Sequence, residues 1–168
     1  MSGSTSDSTE MKFSAQEEYG LRCLIAIALE GPEGSLTIPE ISRKEGLTPS
    51  HVAKLLAILR KAGFVRSTRG QLGGYTLGKS PSQIPLGIVL ESLGGRLFTT
   101  GFCERHSGNE PGCVHESDCL LTPLWTSIQY AVDNVINRYT LEDILEQRIP
   151  EPLIPLSPMP RRVEAHTR

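Results

Sequence analysis

Residues 37–77 have the sequence TIPEISRKEGLTPSHVAKLLAILRKAGFVRSTRGQLGGYTL, and this stretch decides the fold. It begins with Thr37-Ile38-Pro39-Glu40, a capping box that predicts a short helix ending at Gly46. Thr48-Pro49 then predicts a second helix, because proline is well tolerated in a first turn, and Gly63 ends it. Two short helices joined by a tight turn with a glycine are typical of the helix-turn-helix. A generic helical hairpin would have the same pattern.

The second of these helices separates apolar from polar positions. Its apolar residues recur at helical spacing and predict a buried stripe of Val52, Leu55, Leu56 and Leu59. The residues off that stripe include Ser50, His51, Lys54 and Lys61. In a helix-turn-helix, the amino-terminal residues of the second helix contact base edges in the major groove. This polar face is therefore a candidate DNA-binding surface.

A pair of short strands is predicted immediately afterwards. Residues 64–77 place strand-like residues on both sides of a glycine-rich tip, which predicts a β-hairpin, the wing of a winged helix. Glycines let such a tip approach a sugar–phosphate backbone, and Arg69 beside them suits a narrow, electronegative minor groove. A nucleotide-binding loop is the alternative for a glycine-rich stretch. The sequence lacks the Walker lysine and Ser/Thr, and it also lacks GxGxxG.

Charge is distributed unevenly along the chain. The net charge is −2 over 168 residues, but residues 43–79 contain eight Lys or Arg and a single acid, Glu45. That window therefore carries a charge of +7, and the rest of the chain carries −9. This segregation favours one face for a polyanion such as DNA. The alternative is an ordinary solvated basic surface.

The predicted domain extends to both sides of this stretch. A capping box at Ser14–Glu17 predicts a first helix that ends at Gly31-Pro32, with Cys23 inside it as a core residue. A further short helix is predicted over residues 84–93. We therefore assign residues 12–95 to a winged-helix DNA-binding domain, and we expect residues 1–11 to form a disordered tail.

A longer helix is predicted after Thr122-Pro123, which supply a cap and a first-turn proline. Its apolar residues recur at alternating steps of three and four, and they are Trp125, Ile128, Val132, Val135 and Tyr139. This coiled-coil-like seam favours dimerisation, and packing of the helix on its own domain is the alternative. Residues 122–148 would then contain the dimerisation helix and a C-terminal helix capped by Thr140. The proline-rich residues 149–168 are expected to be a disordered tail.

Three cysteines, Cys103, Cys113 and Cys119, lie in the loop of residues 96–121. Their spacing is too open at its first step for the Cys-x2-Cys knuckle of a zinc finger, and three thiols cannot pair off without leaving one over. An iron–sulfur cluster tolerates such a loop. A zinc site, or a disulfide with a spare thiol, is the alternative that the residues leave open.

The sequence also bears on where the protein works. It has no apolar stretch of about eighteen residues, and its amino end lacks the basic start and apolar run of a signal peptide. We therefore expect a soluble, cytoplasmic protein that does not contact a membrane. Reducing conditions there favour cysteines as ligands or redox sensors over structural disulfides.

Several features together resemble the IscR/NsrR type of bacterial transcription factors. They are Tyr19-Gly20-Leu21-Arg22, the helix-turn-helix, the wing sequence RGQLGGY at 69–75, the three cysteines and the Trp125 helix. The resemblance spans residues 12–145. It implies a mainly α winged helix-turn-helix with a small β-hairpin and a long dimerisation helix. It also implies a homodimeric repressor, not an enzyme, that binds palindromic double-stranded DNA. Such a bacterial regulator senses redox state, iron or nitric oxide through an iron–sulfur cluster, although not every member of the family carries one.

The resemblance implies roles for residues at the DNA-binding surface. Ser50 and Lys54 match positions that contact bases, and Arg69 matches the wing arginine that enters the minor groove. Ala53 is a departure, because some relatives carry an acidic residue there that selects the class of operator. We therefore expect looser operator discrimination. The full expected DNA-binding set is Ser50, His51, Lys54, Arg66, Arg69, Gly70 and Tyr75.

The resemblance also implies the cluster ligands. Cys103, Cys113 and Cys119 match the three cysteine ligands, although the first gap is longer than in some relatives. Relatives with a histidine as fourth ligand place it three residues after the last cysteine, where this chain has Thr122. Others use a carboxylate from the first helix of the partner subunit, and Glu18 occupies that position. The carboxylate match favours a [4Fe–4S] over a [2Fe–2S] cluster.

The residues leave other fourth ligands and other functions open. Arg22 stands where another relative has a histidine ligand, and a guanidinium cannot bind iron. His106 and His115 lie inside the cysteine loop and are the remaining candidates. One alternative function is a small iron–sulfur electron carrier, which would need neither the basic window nor the wing. Another is a zinc-stabilised DNA-binding module without sensing.

Overall fold

The computed structural model of this chain describes residues 14–68, 73–96, 98, 115 and 118–150. Within these residues, six α-helices surround one two-stranded antiparallel sheet, which confirms the mainly α fold with a small hairpin. In chain order the elements are α1 (Ala15–Ala28), α2 (Ile38–Glu45), α3 (Pro49–Lys61), β1 (Val65–Thr68), β2 (Gly74–Leu77), α4 (Leu86–Gly94), α5 (Thr122–Ile136) and α6 (Leu141–Leu145).

Both amino-terminal capping boxes are confirmed. The Ser14 N–H donates to the Glu17 carboxylate at 2.8 Å, and the Glu17 N–H donates back to the Ser14 hydroxyl at 3.3 Å. At the start of α2, the Thr37 N–H donates to the Glu40 carboxylate at 2.8 Å. Gly46 ends α2 with a φ of 66°, a left-handed conformation that glycine adopts without steric cost. These local bonds fix where α1 begins and where α2 begins and ends.

The core forms where α1 packs against α2, α3 and α4. The stripe predicted for α3 is confirmed, since Val52, Leu55, Leu56 and Leu59 are all buried. Cys23 on α1 is completely buried, and burial raises the pKa of its thiol to about 11. A thiol that remains protonated in an apolar interior is unreactive, so Cys23 is a core residue as predicted.

The wing is attached to the segment that precedes α2. Strands β1 and β2 pair in a register running from Val65 opposite Leu77 to Thr68 opposite Gly74. The Tyr75 N–H donates to the Leu36 carbonyl at 2.8 Å, and the Leu36 N–H donates to the Tyr75 carbonyl at 3.1 Å. The predicted hairpin is therefore confirmed, and these two bonds fix its base against the helical domain. Its tip, residues 69–72, lies outside the described residues.

Helix α4 lies between α1 and α5. Gly20 of α1 allows a close approach there, because a Cβ at that position would overlap the buried Leu93 side chain. On the other side of α4, a Cβ at Gly87 would overlap the Asn137 side chain, just past the end of α5. The final helix, α6, is joined to the same region by the Leu141 N–H, which donates to the Ile84 carbonyl at 2.9 Å.

Two predicted helix starts need correction. Helix α4 begins at Leu86 and not at residue 84, because Pro81–Gln83 form a 3-10 turn and Ile84 and Pro85 are extended. Thr122 does not cap α5 but is its first residue, with Leu121 at the cap position. Leu121 already has helical backbone angles, with φ −88° and ψ −22°, so the chain turns into the helix before Thr122.

None of the described helices is long and apolar enough to cross a membrane.

The Gly20 contact leads to a test of the core. We expect Gly20→Ala to lower the free energy of unfolding by about 1–3 kcal/mol, because the added methyl group overpacks against Leu93. In a Leu93→Ala background the same change should be neutral or stabilising by up to about 1 kcal/mol, because alanine favours helix over glycine. Urea denaturation of the four proteins in this cycle measures both effects. Equal penalties in the two backgrounds would contradict the assigned contact.

Candidate DNA interface and cysteine site

The solvent face of α3 is a continuous stripe. Ser50, Lys54, Ala57 and Lys61 are exposed at successive steps of four, three and four, away from the buried stripe. Ser50 and Lys54 lie in the first two turns, which are the turns that contact bases in a helix-turn-helix. The structure thus places these two predicted residues where a DNA major groove can reach them.

His51 is held by α1. It is half-buried, and its ring meets the Tyr19 ring edge-on with centroids 5.5 Å apart and an interplanar angle of 86°. The Arg22 guanidinium lies 5.6 Å from the centroid of the same Tyr19 ring, within the range of a cation–π contact. The His51 ring therefore positions the start of α3 against α1, in addition to any contact with DNA.

The single acid of the basic window is paired with Arg22. The Arg22 Nε donates to the Glu45 carboxylate at 2.8 Å, and its second nitrogen, Nη2, donates to the Glu45 carbonyl at 2.7 Å. This carbonyl belongs to the last residue of α2, so Arg22 also satisfies an acceptor at a helix end. The negative charge of Glu45 is thereby offset from within the domain. The positive potential of residues 43–79 is not weakened at the surface by a free carboxylate.

The described part of the wing presents polar residues to solvent. Arg66, Ser67 and Thr68 are exposed on β1, which packs directly against α3. Tyr75 on β2 is half-buried and packs against the core, so it anchors the hairpin. Two expected DNA contacts, Arg69 and Gly70, lie outside the described residues. The structure therefore brings Arg66 alongside α3.

Cys119 lies at the start of α5. It is half-buried. Hydrogen bonding from the Thr122 side chain, and then from the Leu121 and Thr122 backbone, lowers the pKa of the Cys119 thiol, against the opposing effects of burial and of Asp118. The free N–H groups of a helix start favour negative charge. The site therefore stabilises a thiolate, which is the form that binds metals.

The other expected ligands are less well defined. Cys103, Cys113 and His106 lie outside the described residues, whereas His115 is exposed. Glu18 is exposed in the first turn of α1. Within the part of the chain that the structure describes, no three His, Cys, Asp or Glu side chains form a group that could hold a metal ion. One chain thus does not assemble Cys119 and Glu18 into such a group among these residues.

The predicted seam on α5 is partly covered. Trp125, Ile128, Val132 and Tyr139 are only half-buried, and Val135 is 59% exposed. Leu121, which continues the same spacing towards the amino end of the helix, is 54% exposed. Contact with α4 is made instead through the end of α5, where Ile136 and Asn137 lie next to Gly87. The exposed residues of the seam side, Leu121 and Val135, therefore lie outside this contact.

Sequence reasoning missed a polar network that includes Gln129, Asp133 and Arg96. Gln129 is buried in α5 and donates to the Asp133 carboxylate at 2.8 Å, and Asp133 pairs with Arg96. The available signal was the spacing of Gln129 and Asp133, which are four residues apart on a helix and so share a face. Thr122 as a donor to Cys119 was missed as well, because a threonine before a proline is typical of a helix cap.

Comparison with known proteins identifies the family. A family model for Rrf2, described as an iron-dependent transcriptional regulator, matches residues 13–147. The protein rrf2 of Nitratidesulfovibrio vulgaris is 32% identical over 135 residues, which cover 80% of this chain and 87% of that protein. The HTH-type transcriptional regulator IscR of Pectobacterium carotovorum is 30% identical over 138 residues, which cover 82% of this chain and 81% of IscR.

Solved structures agree with this relationship. CymR, the global cysteine regulator of B. subtilis, has a TM-score of 0.62 and 28% identity, covering 82% of this chain and 98% of CymR. IscR of T. potens has a TM-score of 0.63 and 27% identity, covering 82% of this chain and 88% of IscR. These matches confirm both the winged helix-turn-helix fold and the resemblance to IscR-type regulators. The chain belongs to the Rrf2 family and is a DNA-binding transcription regulator, not an enzyme.

Proposed function

We propose that this regulator is a homodimeric repressor that senses redox state, iron or nitric oxide through an iron–sulfur cluster. One observation carries the proposal. Helix α5 begins three residues after Cys119, a thiol whose pKa is lowered by hydrogen bonding from Thr122 and Leu121, and it carries exposed apolar side chains at Leu121, Leu124 and Val135. A single helix thus carries a candidate ligand and a candidate subunit interface.

The DNA-binding half of the proposal rests on α3 and the wing. Ser50 and Lys54 would contact bases, with His51 beside them, and Arg66 would contact the backbone next to the wing. Arg69, Gly70 and Tyr75 complete the proposed set. Lysine in the first turns of a recognition helix suits guanine O6 and N7 or a phosphate oxygen. In a symmetric dimer, two such helices would lie about 34 Å apart, which is one turn of a palindromic operator.

The dimer half rests on the exposure of the seam. Exposed apolar side chains that share one side of a helix, here Leu121 and Val135, are unfavourable in water and typical of an interface. Leu124 is 51% exposed beside the seam, and Leu120 before the helix is 92% exposed. A second copy of the same helix would cover this surface by pairing like with like, as two-fold symmetry requires.

The sensor half rests on the chemistry of the ligands. Cys103, Cys113 and Cys119 would hold the cluster, and Glu18 of the partner subunit would be the fourth ligand, with [4Fe–4S] favoured. The environment of Cys119 fits this role, because three hydrogen-bond donors stabilise the thiolate that iron binds. An iron–sulfur cluster supplies a group that reacts with oxidants and nitric oxide and is lost when iron is scarce.

The chain offers a continuous path from the cysteine site to the DNA interface. Helix α5 contacts α4, α4 packs on α1, and α1 holds the start of α3 through the Tyr19–His51 ring contact. Arg22, three residues after Tyr19, ties α1 to the end of α2. A shift of α1 or α5 would therefore move the recognition helix. Coupling between two sites in proteins is commonly worth about 1–3 kcal/mol.

The DNA interface is tested by charge removal at two points of the same helix face. We expect Lys54→Ala to weaken binding to the operator by about tenfold and to relax discrimination at one base pair. Lys61→Ala removes the same charge two turns later, so it should weaken binding to all DNA sequences alike. Fluorescence anisotropy with matched and mismatched duplexes at two salt concentrations measures both. Identical specificity losses in the two variants would argue against Lys54 as a base contact.

The proposed subunit interface is tested by placing a charge in the α5 seam. Val135→Lys should convert the dimer to a monomer and reduce operator affinity by more than about tenfold, because a lysine buried between subunits has no partner. The side chain is 59% exposed in one chain, so the domain itself should fold normally. Asn134→Lys adds the same charge beside the seam and should leave the dimer intact. Light scattering gives the molar mass, and a dimeric Val135→Lys protein would refute the assigned interface.

The cluster is tested by anaerobic purification. We expect a brown protein with visible absorption and bound iron and sulfide, whereas a colourless protein with stoichiometric zinc would contradict the sensor proposal. Glu18→Ala should alter the spectrum and shorten the lifetime of the cluster in air by about tenfold, as expected for loss of a ligand. Glu33→Ala removes another exposed acid, in the loop after α1, and should change neither. An unchanged spectrum and lifetime in Glu18→Ala would exclude that ligand.

A further inference from the structure

Gln129 is a buried polar side chain in the middle of α5, with only 7% of its surface exposed. Its Oε1 accepts a hydrogen bond from the Phe98 N–H at 2.9 Å, and its Nε2 donates to the Asp133 Oδ1 at 2.8 Å. Both ends of the amide are therefore used. A buried amide is tolerated in a protein interior when its hydrogen bonds are satisfied in this way.

Asp133 extends this network to a second point of the chain. It lies one turn after Gln129, and its Oδ2 accepts a hydrogen bond from the Arg96 guanidinium. Arg96 and Phe98 lie at the beginning of the cysteine loop, directly after α4. The two side chains on α5 thus hold the chain at the point where it enters that loop.

The end of the same loop is also attached to α5. Cys119 lies three residues before Thr122, the first residue of α5. Thr122 and Gln129 are seven residues apart on one helix, which corresponds to about 10 Å along its axis. Beginning and end of the loop are therefore anchored at two nearby points of α5.

This network is separate from the seam. On a helix with 3.6 residues per turn, the face of Gln129 and Asp133 lies roughly a third of a turn from the face of Ile128, Val132 and Val135. An apolar residue at position 129 would fill the same space against the domain. A glutamine at position 129, unlike an apolar residue, can accept a hydrogen bond from the Phe98 N–H and so hold the backbone of residue 98 in place.

We infer that Gln129 and Asp133 are positioning residues of the cysteine site: with Arg96 they form a clamp that holds the entrance of the cysteine loop against α5, the helix on which Cys119 lies. The inference rests on the proposed function, since it gives the clamp the task of setting the geometry around the cluster ligands. Groups that orient metal ligands without touching the metal commonly change metal affinity by about 10–100-fold when they are removed.

The clamp is tested with three variants of the full-length protein and one control. Gln129→Leu keeps the volume and removes both hydrogen bonds, while Asp133→Asn removes the charge facing Arg96. The double variant Gln129→Glu, Asp133→Asn exchanges the two groups. In this double variant, the carboxylate at position 129 can accept hydrogen bonds from the Phe98 N–H and from the new amide group at position 133. The oxygen of that amide can in turn accept a hydrogen bond from Arg96. Ser127→Ala is the control, because the Ser127 hydroxyl bonds within α5, to the Pro123 carbonyl at 2.8 Å.

Two readouts are measured on each protein. The first is the visible circular dichroism and the lifetime in air of the anaerobically reconstituted cluster. We expect Gln129→Leu to change the dichroism and to shorten the lifetime about tenfold, with the exchanged double variant close to wild type. The second is hydrogen exchange of the Phe98 amide in cluster-free protein. It should be protected in wild type, Ser127→Ala and the double variant, and it should exchange much faster in Gln129→Leu.

The outcomes separate this inference from the proposed function. If the wild-type protein binds no cluster, the proposed function fails, and exchange of the Phe98 amide still tests the clamp itself. If wild type binds a cluster and Gln129→Leu matches it in dichroism and lifetime, the positioning role is refuted while the sensor proposal stands. Should Gln129→Leu fail to fold, the comparison of Asp133→Asn with the double variant decides: equal cluster lifetimes in these two would refute the clamp.

Discussion

Burial of α1 against three other helices is the constraint on which the rest of the structure depends. Its inner face packs against α2, α3 and α4, and the missing side chain at Gly20 lets α4 approach closely. From the same helix, Tyr19 contacts His51 at the start of α3, and Arg22 binds the end of α2. The orientation of α3 is therefore set by α1. Any event that displaces α1 must also displace the solvent face of α3.

The second organising feature is the separation of charge and apolar surface between two parts of the chain. The basic window, residues 43–79, covers α3 and the wing, and its only acid is paired internally with Arg22. Exposed apolar side chains occur together at the start of α5 and along it, at Leu120, Leu121, Leu124 and Val135. The basic surface and the exposed apolar surface are thus separate, as the proposed DNA-binding dimer requires.

Much of the fold could be predicted because it depends on local chemistry. The capping boxes at Ser14 and Thr37 and the stripe of α3 follow from residues close together in sequence, and the structure confirms them. Thr122 was assigned as a cap because a threonine before a proline is typical of one, whereas Leu121 takes that position with helical backbone angles. The Arg22–Glu45 pair and the Gln129 network join residues 23 and 31 or more positions apart, and such pairings depend on packing. Contacts with DNA bases, and a ligand from a second subunit, involve partners that a single chain does not contain.

The central claim of this account is that the cysteine site and the DNA interface are coupled through α5 and α1. The most direct test is the affinity of the dimer for one palindromic duplex, selected from random DNA by the protein itself, in cluster-loaded and cluster-free form. The account predicts that the two dissociation constants differ by at least about fivefold, the lower end of typical coupling between sites. Equal dissociation constants for two forms that are both dimeric and folded would contradict it.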